Sequence, residues 1–170
     1  MVIGAKGRSG SGAVEMARSL GLETVEWDLE ETQSGGPFEA INRADVFVNC
    51  VLVSSSLPPF VTMESLARDR RRLSVIADVS CDPYGTYNPV PVYNHTTTFE
   101  EPCLEIITGN DSLHLIAIDH LPSLLPMESS EDYGEQLLPF LATLGDTEKG
   151  VWQRAHAVFV EKTRNFSQEG

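Results

Sequence analysis

The chain has 170 residues, of which 41% are hydrophobic, and its 25 acidic against 12 basic side chains give a formal charge of -13. This length suits one globular domain, and no apolar run approaches the ~20 residues that a membrane span needs. So acidic a surface would repel a phosphate backbone. We expect no signal peptide, because Met1 leads directly into a strand and a glycine turn. We therefore expect a cytoplasmic protein that binds neither nucleic acid nor membranes.

The cysteines and histidines are scattered along the chain. Cys50, Cys81 and Cys103 have no metal-like spacing and give no disulfide framework, so buried thiols are predicted. The four histidines form no known ligand grouping either. We predict no metal.

A glycine-rich stretch, Gly4-Ala5-Lys6-Gly7-Arg8-Ser9-Gly10-Ser11-Gly12, follows the apolar pair Val2-Ile3. Glycines let the backbone turn sharply and approach phosphates, while the N–H groups and dipole of a following helix favour negative charge. The stretch predicts a cradle for a dinucleotide pyrophosphate. Its spacing departs from G-x-G-x-x-G, so by itself it also suits a plain loop.

The next residues favour the phosphate interpretation. Apolar side chains recur at helical spacing from Ala13 to Leu20, and Gly21 then ends the helix. Residues 23–27 alternate like a short strand that ends at Asp28. An acidic side chain about 20 residues beyond such a turn binds the ribose hydroxyls and repels a 2′-phosphate, which favours NAD over NADP. The alternative is that Asp28 only caps the strand end.

Strands and helices continue to alternate beyond Asp28. Apolar runs predict strands within 45–52, 73–79 and 113–118, with short helices ending at Ile41 and spanning 61–68, and amphipathic helices at 130–144 and 151–164. Runs buried on both faces are typical of parallel strands. We predict an α/β, Rossmann-like doubly wound parallel sheet with C-terminal helices over residues 1–165, and a frayed tail at 166–170.

Several motifs carry a family resemblance. They are the glycine stretch, Trp27-Asp28 with Glu31-Thr32, Gly35-Gly36-Pro37-Phe38, Asn49-Cys50, Asp78-Val79-Ser80, and Asp119-His120-Leu121-Pro122-Ser123-Leu124-Leu125-Pro126. The last string is specific, because no general feature of a dinucleotide-binding fold requires it. Together they resemble saccharopine dehydrogenase of the NAD-dependent, lysine-forming type, and the resemblance runs from Val2 to about Phe159.

This resemblance implies oxidative cleavage of saccharopine to lysine and 2-oxoglutarate in lysine biosynthesis, by the α-aminoadipate pathway, with NAD as the hydride acceptor. It places Gly7, Arg8, Ser9 and Gly10 at the pyrophosphate, Asp28 and Thr32 at the adenosine ribose, and Leu52 and Val79 along the nucleotide cleft. Asp119, His120, Leu121 and Pro122 would close on the nicotinamide side. Ser80, Cys81 and Asp82 would lie near the substrate.

The chain departs from the family pattern in two ways. Family members can carry a cysteine where this chain has Ser9, and that cysteine can pair with the counterpart of Cys50, which we therefore expect to be free here. Members also have an N-terminal domain before the glycine turn, and its lysine and histidine form the acid–base pair. We expect this chain to be the cofactor-binding part of such an enzyme, inactive alone. The alternative is a standalone NAD-binding or regulatory module without turnover.

Overall fold

The structure, a computed structural model, describes residues 1–68 and 71–164, so the predicted tail at 166–170 lies outside the described residues. It contains two compact units, Met1–Leu121 and Pro122–Gly170. The expected domain over residues 1–165 stays a prediction, and the two units are described separately below.

The first unit is built on a six-stranded sheet. Its strands are β1 (Val2–Ile3), β2 (Glu26–Trp27), β3 (Val46–Asn49), β4 (Val75–Asp78), β5 (Leu104–Ile107) and β6 (Leu113–Ile116). Its helices are α1 (Arg8–Ser19), α2 (Leu29–Thr32), α3 (Glu39–Arg43) and α4 (Met63–Leu66). The strand order is β2-β1-β3-β4-β6-β5, and every pair is parallel except β5 with β6. The predicted α/β fold is confirmed.

The two faces of the sheet carry separate apolar clusters because neighbouring residues of a strand point in opposite directions. In β1, Val2 packs with Val14 of α1 in the smaller cluster, whereas Ile3 lies in the larger one. The larger cluster also contains Ile41 of α3 and Leu66 of α4. Helices therefore cover both faces, as a doubly wound sheet requires.

Helix α1 approaches the backbone of the glycine turn closely at Gly10. A Cβ atom at this position would lie 2.6 Å from the carbonyl carbon of Gly4 and 2.9 Å from Ala5 Cα, just after β1. Because these are backbone atoms, a side chain here would push the helix away from the turn. The turn is also shorter than the predicted 4–12, since it ends at Gly7 and the helix already begins at Arg8.

The strands are shorter than the apolar runs that predicted them, because the last residues of each run leave the ladder and enter loops at the sheet edge. One strand, β5, was not predicted at all. It is an edge strand that pairs antiparallel with β6 across a turn at Gly109, whose φ is 110°. The apolar run at 104–107 followed by a Gly-Asn-Asp turn is the hairpin signal that could have identified it.

The second unit contains the helices α5 (Pro126–Leu141) and α6 (Gly150–Thr163), and a 3-10 helix (Leu121–Leu124) precedes α5. Helix α5 begins earlier than the predicted residue 130, because a proline at the first helical position lacks only an N–H that has no partner there anyway. Inside this unit, the Trp152 indole N–H donates to the Phe140 carbonyl at 3.0 Å. Among the residues described, no helix is long and apolar enough to cross a membrane.

The close approach at Gly10 predicts opposite effects for two glycines of the same helix. Gly10→Ala should lower the free energy of unfolding by about 1–3 kcal/mol, the usual cost of overpacking. Gly12→Ala should raise it by roughly 0.5–1 kcal/mol, because no atom lies within 4 Å of a Cβ there and alanine favours the helix. Denaturant unfolding followed by circular dichroism measures both. Equal stability of the two variants would contradict the packing.

Candidate functional site

The carboxyl ends of the central strands meet at one edge of the sheet. Ile3 of β1 is paired with Asn49 of β3, and Asn49 with Asp78 of β4. The chain therefore leaves all three strands at the same level, with the glycine turn beside the loops that start at Cys50 and Val79. In sheets of this kind ligands bind at this edge, where the strand order reverses, which here is between β1 and β3.

The glycine turn presents the beginning of α1 at this edge. Gly4 has φ +82°, and a Cβ on it would lie 3.1 Å from the backbone of Cys50, so the turn passes close to the start of the β3 loop. Gly7 is the N-cap residue of α1, and no side chain caps the helix. The N–H groups of the first helical turn have no acceptor within the helix, and Ser9 beside them is exposed. This helix end can bind an anion.

Asp28 ties the end of β2 to the glycine turn. One carboxylate oxygen accepts the Lys6 backbone N–H at 2.9 Å, and the other accepts the Leu29 N–H at 2.9 Å at the start of α2. Glu31 completes a capping box by accepting the Asp28 N–H at 2.8 Å. The N–H groups of Lys6 and then Leu29 lower the pKa of Asp28, so this side chain is a carboxylate at neutral pH.

Asp28 is thus both a cap and an acceptor at the turn. The two carboxylate oxygens together have about four acceptor sites. The backbone N–H groups of Lys6, Leu29 and, in the capping box, Glu31 occupy three of them, so about one remains. Thr32 is placed differently from the ribose role that the resemblance implies. It is only 3% exposed, and its hydroxyl donates to the Asp28 carbonyl at 2.8 Å.

A buried polar group lies at the ends of β3 and β4. We call it the Asp78 cluster, and its members are Asn49, Asp78, Ser80 and Tyr93. One Asp78 oxygen accepts from Asn49 Nδ2 at 2.9 Å and from Ser80 Oγ at 2.8 Å, and the other accepts from the Tyr93 hydroxyl at 2.7 Å. Burial and then the Asp78 charge raise the pKa of Tyr93, which keeps its proton.

Comparison with known proteins places the chain in a family. The model of the family "Alanine dehydrogenase/PNT, C-terminal domain" matches residues 31–165, which is more than half of the chain. The chain belongs to this family. Saccharopine dehydrogenase (NAD(+), L-lysine-forming) of Emericella nidulans is 49% identical over 177 residues, covering 99% of this chain and 47% of that protein. The resemblance predicted from the motifs is confirmed.

Two other curated relatives agree with this family assignment. Saccharopine dehydrogenase of Schizosaccharomyces pombe is 46% identical over 165 residues, covering 94% of this chain and 45% of that protein. Alanine dehydrogenase of Mycolicibacterium smegmatis is 25% identical over 175 residues, with coverage of 92% and 44%. The chain spans about half the length of the curated relatives it matches.

Cys81, in the segment expected near the substrate, is held in a backbone conformation that is unusual for a residue other than glycine. Its φ is +47° and it is 8% exposed, so its thiol lies inside the unit. Burial and then the charges of Asp119, Asp78 and Asp82 raise the pKa of Cys81 to about 11. Such a thiol is protonated at neutral pH and is a poor nucleophile.

The other thiols differ from the prediction of three buried cysteines. Cys50 is half-buried, and its pKa is raised to about 11 by burial and then by Asp78. Cys103 is exposed, so the prediction is wrong there. All three are free, including Cys50.

The remaining predicted site residues of the first unit lie at or near the same edge. Leu52 is exposed and Val79 is half-buried in the loops after β3 and β4. Asp119 and His120 are exposed beyond β6, and the His120 ring packs edge-on against Phe99 with centroids 5.1 Å apart. Leu121 is half-buried. Pro122 belongs to the second unit, where its carbonyl accepts from Ser129 Oγ at 3.0 Å.

Two members of the Asp78 cluster have contacts that sequence reasoning missed. Asp78 ends an otherwise apolar run and is 1% exposed, and a buried carboxylate requires partners. That rule could have identified Asp78 as the centre of a network. Tyr93 has no comparable signal, because it reaches Asp78 from a loop 15 residues further along the chain.

A cavity also lies at the opposite edge of the sheet, where β1, β2 and β3 begin. Its volume is about 600 Å³, and apolar side chains such as Val2, Ala17, Val25 and Val46 line it. Arg72 and Asp45 at its rim are paired with each other at 2.9 Å. We call this the amino-edge cavity. Among the described residues that line it, none begins a helix, whereas α1 begins at the carboxyl edge.

Proposed function

We propose that the chain is the cofactor-binding part of an NAD-dependent saccharopine dehydrogenase, an enzyme that cleaves saccharopine oxidatively to lysine and 2-oxoglutarate. The observation that carries the proposal is the bond between the Asp28 carboxylate and the Lys6 N–H at 2.9 Å. It places an acidic acceptor beside the glycine turn, as recognition of a ribose next to a pyrophosphate requires. The names of the relatives at 46–49% identity support saccharopine as the substrate and NAD as the cofactor.

The residues present fit such a dinucleotide. The close approach at Gly10 leaves the uncapped start of α1 beside the turn, where its N–H groups bind the pyrophosphate. The remaining acceptor capacity of Asp28 takes a ribose hydroxyl. Leu52 and Val79 line the cleft, while Asp119, His120 and Leu121 close on the nicotinamide side. Bound NAD supplies the hydride acceptor, and Ser80, Cys81 and Asp82 position the substrate.

Asp28 should also determine the choice of cofactor. Asp28→Asn should weaken NAD binding roughly tenfold, because a charged hydrogen bond to the ribose is lost. It should weaken NADP binding less or strengthen it, because the repulsion of the 2′-phosphate disappears. Calorimetric titration of the chain with each dinucleotide measures this. Asp111→Asn, the same change at an exposed turn residue, is the control, and unchanged affinities for both cofactors would remove Asp28 from the ribose site.

We further expect the chain to show no turnover alone, because the resemblance assigns the acid–base pair to a lysine and a histidine outside these residues. With NAD and saccharopine present, NADH absorbance should not rise, whereas a full-length saccharopine dehydrogenase assayed in parallel should produce it. Steady NADH formation by this chain would contradict the assignment. NAD binding that persists without turnover, even after the chain is joined to the N-terminal half of a relative, would favour the standalone module instead.

A further inference from the structure

The Asp78 cluster has a fixed direction of hydrogen bonding. An ionised carboxylate only accepts, so the groups that contact Asp78 must donate to it. The donors are Asn49 Nδ2 at 2.9 Å, Ser80 Oγ at 2.8 Å and the Tyr93 hydroxyl at 2.7 Å. The Cys81 backbone N–H also points at the carboxylate, at 3.4 Å. The hydroxyl protons of Ser80 and Tyr93 are therefore both used inside the cluster.

The orientation of Asn49 is fixed as well. Its Oδ1 accepts the Val51 backbone N–H at 3.3 Å, which leaves Nδ2 as the atom that faces Asp78 and Ser80. Asn49 Nδ2 also donates to Ser80 Oγ at 2.8 Å. Because Asn49 is fully buried, this amide cannot turn to solvent.

Ser80 is the half-buried member of the cluster, and these bonds leave it with unused acceptor capacity at the ligand edge. A hydroxyl has one proton and two acceptor sites. Ser80 gives its proton to Asp78 and uses one acceptor site for Asn49, so one acceptor site remains. Ser80 is half-buried and lies just beyond the end of β4, whereas Asn49 and Asp78 are buried behind it.

We propose that Asp78 and Asn49 make Ser80 an obligate hydrogen-bond acceptor, so that the site selects a ligand group bearing an N–H donor at this position. The inference rests on the proposed function and deepens it. Two ligands of that function carry such a group. One is the carboxamide of the nicotinamide ring, and the other is an amine of the amino-acid substrate. Asp78 is a positioning residue, since it acts through Ser80.

The test compares pairs of ligands, one with and one without the N–H donor. NAD is compared with 3-acetylpyridine adenine dinucleotide, in which a methyl group replaces the amide NH₂ without a change of charge. With NAD bound, lysine is compared with norleucine, which lacks the ε-amine. Calorimetric titration of the whole chain gives the preference within each pair. Ser80→Ala should lower the preference for the N–H ligand by about three- to tenfold, the value of one neutral hydrogen bond.

The Asp78→Asn variant shows whether Asp78 orients the Ser80 hydroxyl or only stabilises the fold. The amide of an asparagine at position 78 can donate to Ser80 Oγ, which frees the Ser80 hydroxyl proton to point toward the ligand. The preference for the N–H ligand should then fall, although the Ser80 hydroxyl is still present. Ser80→Thr, which keeps the hydroxyl, should keep the preference. Ser74→Ala makes the same change at the other end of β4, where Ser74 is exposed, and should leave it unaltered. Thermal unfolding of each variant confirms that titrations are made on folded protein.

Each outcome decides the inference. A reduced preference in the dinucleotide pair assigns the carboxamide to Ser80, and a reduced preference in the amino-acid pair assigns the substrate amine. NAD binding with both preferences unchanged in Ser80→Ala would overturn the inference and leave the proposed function intact. If wild-type chain does not bind NAD, the proposed function fails and the inference fails with it.

Discussion

The contact of α1 at Gly10 with the backbone of Gly4 and Ala5, just after β1, is the constraint on which the candidate site depends. It holds the uncapped helix start against the glycine turn at the carboxyl edge, within reach of the loop after β3. A larger residue at position 10 would push the helix away from this turn and displace the neighbouring Lys6 N–H from the Asp28 carboxylate. The packing of one glycine therefore sets the distance between the two groups that would bind a pyrophosphate and a ribose.

Two carboxylates organise the edge in different ways. Asp28 is partly exposed, accepts backbone N–H groups from the protein and keeps acceptor capacity for a ligand. Asp78 is buried, and both of its oxygens accept from side chains of the protein. The first can contact a nucleotide directly. The second sets which hydrogen-bonding groups its neighbours offer, and its charge adds to burial, the larger cause, in raising the pKa values of Tyr93 and Cys50 on the same edge.

The sequence predicted the sheet better than the site. Buried apolar runs are long and unambiguous, so β3, β4 and β6 each fall within a predicted strand, whereas the short edge strand β5 was missed. Asp28 was predicted because its spacing from the glycine turn is a local pattern. Capping of the strand end and binding of a ribose were treated as alternatives for Asp28, whereas its carboxylate caps α2 and still has acceptor capacity for a ligand. The contact of Tyr93 with Asp78 depends on the path of a loop, which residue patterns do not encode.

The proposed site lies at the carboxyl edge, where a dinucleotide would bind between the glycine turn and Asp28. Amide NMR shifts recorded while NAD is added are the most direct test of this placement. Binding there should give the largest changes at the backbone amides of Lys6, Gly7, Ser9, Gly10 and Leu29. Changes concentrated around the amino-edge cavity, or a spectrum unaltered at saturating NAD, would contradict it.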